Sequence, residues 1–172
     1  DTGFRISQVM LNGAGEVAAC YDKMHLCQYG ASCEKEFFER GERMTVIDLK
    51  GWKIAPLICY DIRIPEMTRA LVLEHHADLL LHCGAYFRDE SFASWHSFAT
   101  TRAMENQTYL LSINRAGSDY GNSLFCSPWM DENHPAVAFT EHAEQFRIFE
   151  LDPDLPVTTR SMYSFLMNRH AT

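Results

Sequence analysis

An apolar run breaks off at a cysteine in WKIAPLICYDIRIPE, Trp52 to Glu66: the hydrophobic stretch ends in Cys59-Tyr60-Asp61 and a helical pattern opens at Pro65. A strand-to-helix turn of this kind exposes the sulfur, and backbone N–H groups at the turn and helix start can stabilise negative charge. A thiolate so placed can attack an amide carbonyl or a nitrile carbon, giving a covalent thioester or thioimidate that water later hydrolyses. A free thiol is mostly protonated near neutral pH, so the chemistry also needs a base or a neighbouring cation. The competing reading of a single cysteine is a small buried hydrophobe. Arg63 has the fork geometry to hold a substrate carboxylate, and it has equal reach to pair with Asp61 or Glu66 as a structural tie. Asp61 suits a role holding the turn through backbone hydrogen bonds. His25 and His82 invite a Cys–His dyad, but histidines this close to apolar strands are more often satisfied structural residues.

The chain that must position these groups has 172 residues, 47% of them hydrophobic and 22% charged, with a net charge of −8. That is enough for one domain with a real core. Lys and Arg are scattered, which argues against a nucleic-acid partner, since such binding rests on a clustered basic face. The apolar runs are too short to cross a bilayer, and no basic segment followed by an apolar one marks a secretory signal; neither a membrane partner nor export is expected. Six cysteines (Cys20, Cys27, Cys33, Cys59, Cys83, Cys126) form no CxxC pair, and the eight histidines form no HExxH or HxxxH pattern. No metal and no cofactor is therefore expected, and reduced thiols in a cytoplasmic protein are the expected state. The chain opens at Asp1 without an initiator Met and runs straight into strand-like residues, as the interior of a longer protein would.

Phe4 to Leu11 and Glu16 to Tyr21 flank Asn12-Gly13-Ala14-Gly15, a hairpin signal. A polar loop with Lys23 and His25 follows, then a short helix or turn over Glu34 to Arg40, closed by Gly41. Met44 to Asp48 and Trp52 to Ile58 read as strands around a Lys50-Gly51 turn. Pro56 inside the second cannot donate to a ladder and implies an edge, a bulge or a strand end. Pro65 opens a helix that runs to His75. Ala77 to His82 is a buried strand, Ser91 to Asn106 a helix with Phe92, Trp95, Ala99 and Ala103 on one face, and Thr108 to Ile113 a strand. A loop over Asn114 to Gly121 precedes strands at Ser123 to Ser127 and Gln145 to Leu151, with a turn at Asp131 to His134. The tail after Pro153 carries little pattern. Alternating strands and helices after Trp52 imply α/β layering, and Cys59 falls at the C-terminal end of its strand, where open α/β sheets place their sites.

Taken together, the motifs resemble the carbon–nitrogen hydrolase, or nitrilase, superfamily from about Phe4 to Arg160. Tyr21-Asp22-Lys23-Met24-His25-Leu26 matches a Y-x-K-x-H-L pattern, and Cys59 through Glu66 matches C-Y-D-x-R-x-P-E. Glu34 of EKEFFERG matches a Glu shortly before a Gly, Arg102 to Gln107 matches R-A-x-E-N-Q, and Gly121-Asn122-Ser123 matches G-x-S. Each motif alone is weak; all of them in family order are not.

The resemblance implies a four-layer αββα sandwich and assembly into dimers or larger homo-oligomers through helices near the nucleophile. It implies Cys59 as nucleophile, and Lys23 as the cation facing the oxyanion with the Tyr60 N–H as second donor. It also implies a second carboxylate at Glu34, with Glu36 and Glu39 as register alternatives. Gly84, Ala85 and Tyr86 are then expected to line the acyl pocket, and Tyr60 and Arg63 to contact substrate. Arg102 and Glu105 read as an ion pair. The family's general-base Glu lies well upstream of its Lys, and no residue before Lys23 fills that place. Residues 1–172 thus read as the C-terminal portion of one such domain, with N-terminal strands and helices absent and the piece alone inactive. The Cys-Tyr-Asp-x-Arg context looks more like the amidase branches, including ω-amidase-like enzymes, than true nitrilases. A small linear amide is the implied substrate, with release of ammonia; N-carbamoyl amino acid hydrolysis and a non-catalytic interaction module are the alternatives.

Overall fold

A computed structural model describes residues 3–30 and 32–169, so Asp1 and Thr2 lie outside it. The chain begins with a hairpin, β1 (Ser7–Leu11) and β2 (Val17–Asp22), which pair antiparallel and form a two-stranded sheet of their own. Asn12 closes it: its side-chain oxygen accepts the N–H groups of Ala14 at 2.9 Å and Glu16 at 3.0 Å, the Asx geometry that turns a chain without help from the ladder. A four-residue helix, α1 (Glu34–Phe37), follows the Lys23 loop.

The larger sheet has six strands in chain order: β3 (Ile47–Leu49), β4 (Trp52–Ile58), β5 (Leu79–Gly84), β6 (Tyr109–Asn114), β7 (Leu124–Cys126) and β8 (Val137–Ala138). β4, β5 and β6 run parallel and the outer strands antiparallel. Helix α2 (Pro65–Leu73) crosses from β4 to β5, and α3 (Phe92–Asn106) from β5 to β6, the βαβ arrangement that the alternation implied. Pro56 is tolerated because β3 pairs only with residues 52–54 of β4 and stops short of it.

Side chains alternate across the sheet, and the two faces differ. Ala55, Leu57, Leu80, His82, Leu110 and Ser112 are fully buried on one face, in register as Ala55–Leu80–Leu110 and Leu57–His82–Ser112. Leu71 of α2 and Trp95, Ala99 and Ala103 of α3 join them in the core. On the other face Leu79, Leu81, Leu111 and Ile113 are only half-buried, and there the hairpin packs along β4 through β1. The layers are thus helix, large sheet and small sheet, in the order an αββα sandwich requires.

Two expectations fail. Gln145 to Leu151 keeps its alternation, with Phe149 stacked on Phe125 at 4.1 Å while Phe146 and Ile148 are exposed. Yet it forms no ladder among the described residues, and without a paired neighbour extended chain is not a strand. The tail after Pro153 is ordered as α4 (Asp154–Met162). Tertiary contacts hold it: the Gln107 amide donates to the carbonyls of Thr159 (3.2 Å) and Tyr163 (2.7 Å), and Tyr163 stacks on Trp129 at 3.8 Å. Local patterning carries no trace of such contacts.

Candidate active site

β4 delivers its apolar run into the core and stops at Cys59, the first residue of a 3₁₀ turn over Cys59–Arg63. Cys59 has φ +46°, a left-handed conformation that a side chain other than Gly rarely adopts. Such strain costs about 1–3 kcal/mol and persists only where surroundings over-determine it. They do so here. The fully buried Asp61 carboxylate accepts the Ile58 N–H at 3.0 Å, the Tyr21 hydroxyl at 2.7 Å, and the His25 backbone N–H (3.0 Å) and Nδ1 (2.9 Å). Burial, with the Asp61 charge second, pushes the Tyr21 hydroxyl well above its usual range, so it stays a donor. From the helix side, Arg102 donates to the Ile62 carbonyl at 2.9 Å and the Arg63 carbonyl at 3.2 Å while pairing with Glu105 at 2.8 Å.

Lys23 follows directly on β2. Its backbone is tied on both sides, by Lys23 N–H to the Ile6 carbonyl (2.8 Å) and Gly41 N–H to its own carbonyl (2.7 Å). Gly41 has to be glycine, because a Cβ there would run into the Asp22 carbonyl. The Lys23 ammonium is buried and sits on both oxygens of Glu34, which also accepts the Cys27 N–H at 2.7 Å. Of the three acidic residues in EKEFFER, the structure therefore joins Glu34 to Lys23.

Lys23, Glu34 and Cys59 line one cavity of about 630 Å³. Burial is the main influence on the Cys59 thiol and raises its pKa; the Lys23 charge opposes this, the Glu34 and Cys27 groups add to it, and an N–H from Ala85 lowers it. The thiol is thus held protonated until a base takes its proton. Glu34 is engaged twice over. Asp89, which also lines the cavity, accepts the N–H (2.8 Å) and hydroxyl (2.7 Å) of Ser91 and is held below its usual carboxylate range by those bonds.

Gly84, Ala85 and Tyr86 line the same cavity. The Tyr86 hydroxyl, however, donates to the Cys59 carbonyl at 2.7 Å. The side chains of Tyr60 and Arg63 are not brought to the cavity wall. Arg63 lies over the rings of Phe98 (4.8 Å) and Tyr29 (5.6 Å) and donates to the Ser94 hydroxyl at 3.3 Å. Tyr60 leans on Tyr29 at 5.8 Å. Contacts of a guanidinium with ring faces hold it in place, so Arg63 has aromatic and hydroxyl partners of its own.

Two positioning residues escaped the motif reading in part. Asn114 at the end of β6 accepts the Tyr86 N–H at 2.8 Å and donates to the Tyr86 (3.0 Å) and Gly121 (2.9 Å) carbonyls, and the Ser123 hydroxyl accepts its N–H at 2.9 Å. Gly121-Asn122-Ser123 therefore supports the cavity wall from behind rather than entering it. Asn114 carried one signal, an amide closing an otherwise apolar strand.

The sequence matches the carbon-nitrogen hydrolase family profile over residues 3–155. It is 33% identical over 114 residues to the omega-amidase YafV of Escherichia coli (strain K12), covering 66% of this chain and 42% of that protein. The chain thus spans about two-fifths of the length of that relative. A carbon-nitrogen hydrolase from Helicobacter pylori G27 superposes with a TM-score of 0.85 at 21% identity, covering 98% of this chain and 63% of the other. An amidase variant from Nesterenkonia sp. AN1, whose structure shows covalent addition of the acetamide moiety of fluoroacetamide at the active-site cysteine, is 29% identical with a TM-score of 0.67, covering 79% and 51%. A family match that runs from residue 3 to 155 takes in both the Lys23–Glu34 pair and Cys59, and this chain belongs to the carbon-nitrogen hydrolase family.

Proposed function

We propose that the whole protein hydrolyses the C–N bond of a small linear amide through a thioester on Cys59, releasing ammonia. The single observation that carries this reading is the convergence of Cys59, Lys23 and Glu34 on one cavity. In the reaction, Cys59 Sγ attacks the amide carbon while its proton passes to a base and on to the departing nitrogen, which leaves as ammonia. Water then adds to the thioester and the acid departs, returning the thiol. Lys23 faces the oxyanion of each tetrahedral intermediate, and the backbone N–H of Tyr60 is the second donor that the family resemblance implies. Glu34 holds the ammonium by its two oxygens, a positioning that costs no reorganisation at the moment of attack. By the family resemblance, the base that takes the Cys59 proton is a Glu upstream of Lys23, a place that no residue before Lys23 in this sequence fills. A covalent adduct on the cysteine of the similar Nesterenkonia amidase supports the same nucleophile here.

The test is turnover of a panel of short aliphatic amides by the full-length protein, with ammonia assayed and intact mass followed. Ammonia release that depends on Cys59, with an acyl mass shift absent from Cys59→Ala, is expected. An adduct persisting in Cys59→Ala, or turnover unaffected by that change, overturns the assignment.

A further inference from the structure

The Cys59 carbonyl accepts two side-chain donors from one strand and the loop after it: Tyr86 Oη at 2.7 Å and His82 Nε2 at 3.0 Å. His82 is fully buried, and its other ring nitrogen lies 2.6 Å from Ser112 Oγ, which receives the Trp95 indole N–H at 2.8 Å. The direction of every proton in this chain follows from chemistry. An indole nitrogen only donates and a carbonyl only accepts. Ser112 therefore accepts from Trp95 and gives its own proton to His82 Nδ1, and His82 gives the Nε2 proton to the Cys59 carbonyl. The relay needs neutral imidazole, and burial, which lowers the His82 pKa to about 4, favours that form. Sheet register puts the parts together: His82 and Ser112 are parallel-ladder partners, and Trp95 comes down from α3 onto them. Tyr86 is held from its other side, its ring stacked on Trp95 at 4.5 Å and 4°.

These contacts bear on the reacting atoms through one covalent fact. In a trans peptide the carbonyl and the following N–H lie in one plane and point in opposite directions. Fixing the Cys59 carbonyl on the buried side therefore fixes the Tyr60 N–H on the opposite side. The same contacts hold Cys59 at φ +46°, and with it the direction of the Cα–Cβ bond. His82 thus acts on the thiol's position rather than as its base: both ring nitrogens already have partners, Ser112 Oγ and the Cys59 carbonyl.

We propose that His82 and Tyr86 are positioning residues that clamp the Cys59 carbonyl, with Ser112 and Trp95 setting the His82 tautomer, so that the clamp orients both Sγ and the Tyr60 oxyanion donor. The proposal rests on the reading of Cys59 as nucleophile. Tyr86→Phe removes one donor and keeps the ring stack, His82→Leu removes the other, and His82→Gln offers an amide N–H in its place. In the full-length protein assayed with butyramide, Tyr86→Phe and His82→Leu are each expected to lower kcat about tenfold, the equivalent of one lost buried hydrogen bond. KM should stay within about twofold, and His82→Gln should recover most of the loss. A second readout needs no turnover: iodoacetamide alkylation of Cys59 followed by peptide mass, with Cys83 as internal reference. Tyr86→Phe is expected to slow Cys59 relative to Cys83 by at least about threefold. Wild-type kcat in both Tyr86→Phe and His82→Leu, a loss confined to KM, or unchanged relative alkylation in Tyr86→Phe overturns the clamp. If the wild type shows no Cys59-dependent turnover, the amidase reading falls, and the alkylation ratio still decides the clamp.

Discussion

The Lys23 ammonium lies 2.7 and 2.6 Å from the two carboxylate oxygens of Glu34, and only 1% of the lysine is exposed. Removing one partner of a buried pair leaves an uncompensated charge, at a cost of about 3–5 kcal/mol, whereas removing both is far milder. Lys23→Met and Glu34→Gln are each expected to destabilise the protein strongly, with Lys23→Met/Glu34→Gln recovering part of the loss. Urea midpoints of the four proteins measure this coupling. Amide turnover should be lost in all three variants, which separates the stability role of the pair from its chemical one.

Asp61 gathers the strand end, the hairpin and the His25 loop on one buried carboxylate. Asp61→Asn turns one acceptor oxygen into a donor facing other donors. It is expected to destabilise by about 2–4 kcal/mol and to depress kcat through the Cys59 turn. A variant with wild-type melting temperature and rate would show that the turn holds itself.

His82 also makes stability depend on pH. Its folded pKa is about 4 against an unfolded reference of 6.5. Because the folded value is depressed, the neutral ring favours folding above pH 6.5, and that contribution is lost as pH falls from 6.5 through 4. The size is roughly 3 kcal/mol. Denaturant midpoints of wild type and His82→Gln at pH 7 and pH 4.5 isolate the effect: the wild type should lose more stability on acidification than the variant.

A Cβ at Gly84 would run into the Tyr86 ring. Gly84→Ala is therefore expected to displace Tyr86 from the Cys59 carbonyl, costing about 1–3 kcal/mol in overpacking and slowing acylation more than it weakens substrate binding. Comparing kcat and KM of this variant with those of Tyr86→Phe checks it, since both should fail in the same parameter.

Strand and helix placement through β6 was legible because the sheet is built from local patterns: an apolar run to Ile58, a helical stripe from Pro65, and the Phe92, Trp95, Ala99 and Ala103 face. Lys23, Glu34 and Cys59 were legible only as a set, since each alone has an ordinary surface or core explanation. What stayed hidden depends on contacts between distant residues. Arg63 read equally as a ligand for carboxylate and as a tie to Asp61 or Glu66, because nothing local announces its contacts with the rings of Tyr29 and Phe98. Tyr86 looked like pocket lining, and its ring is; the destination of its hydroxyl is set by where β5 leaves Cys59. Gln145 to Leu151 shows the reverse case, a pattern with no partner strand to act on.

The hairpin's separation from the six-stranded sheet divides the site between two mechanical bodies. Cys59 ends β4 in the large sheet, whereas Lys23 follows the β1–β2 hairpin, which among the described residues pairs with no strand of that sheet. Tyr21 bridges them through its 2.7 Å bond to Asp61. Amide hydrogen exchange should report two opening energies, a low one for β1–β2 and a high one for β4–β6. An opening of the hairpin detected in this way would carry the ammonium away from the sulfur and take the site apart without unfolding the large sheet.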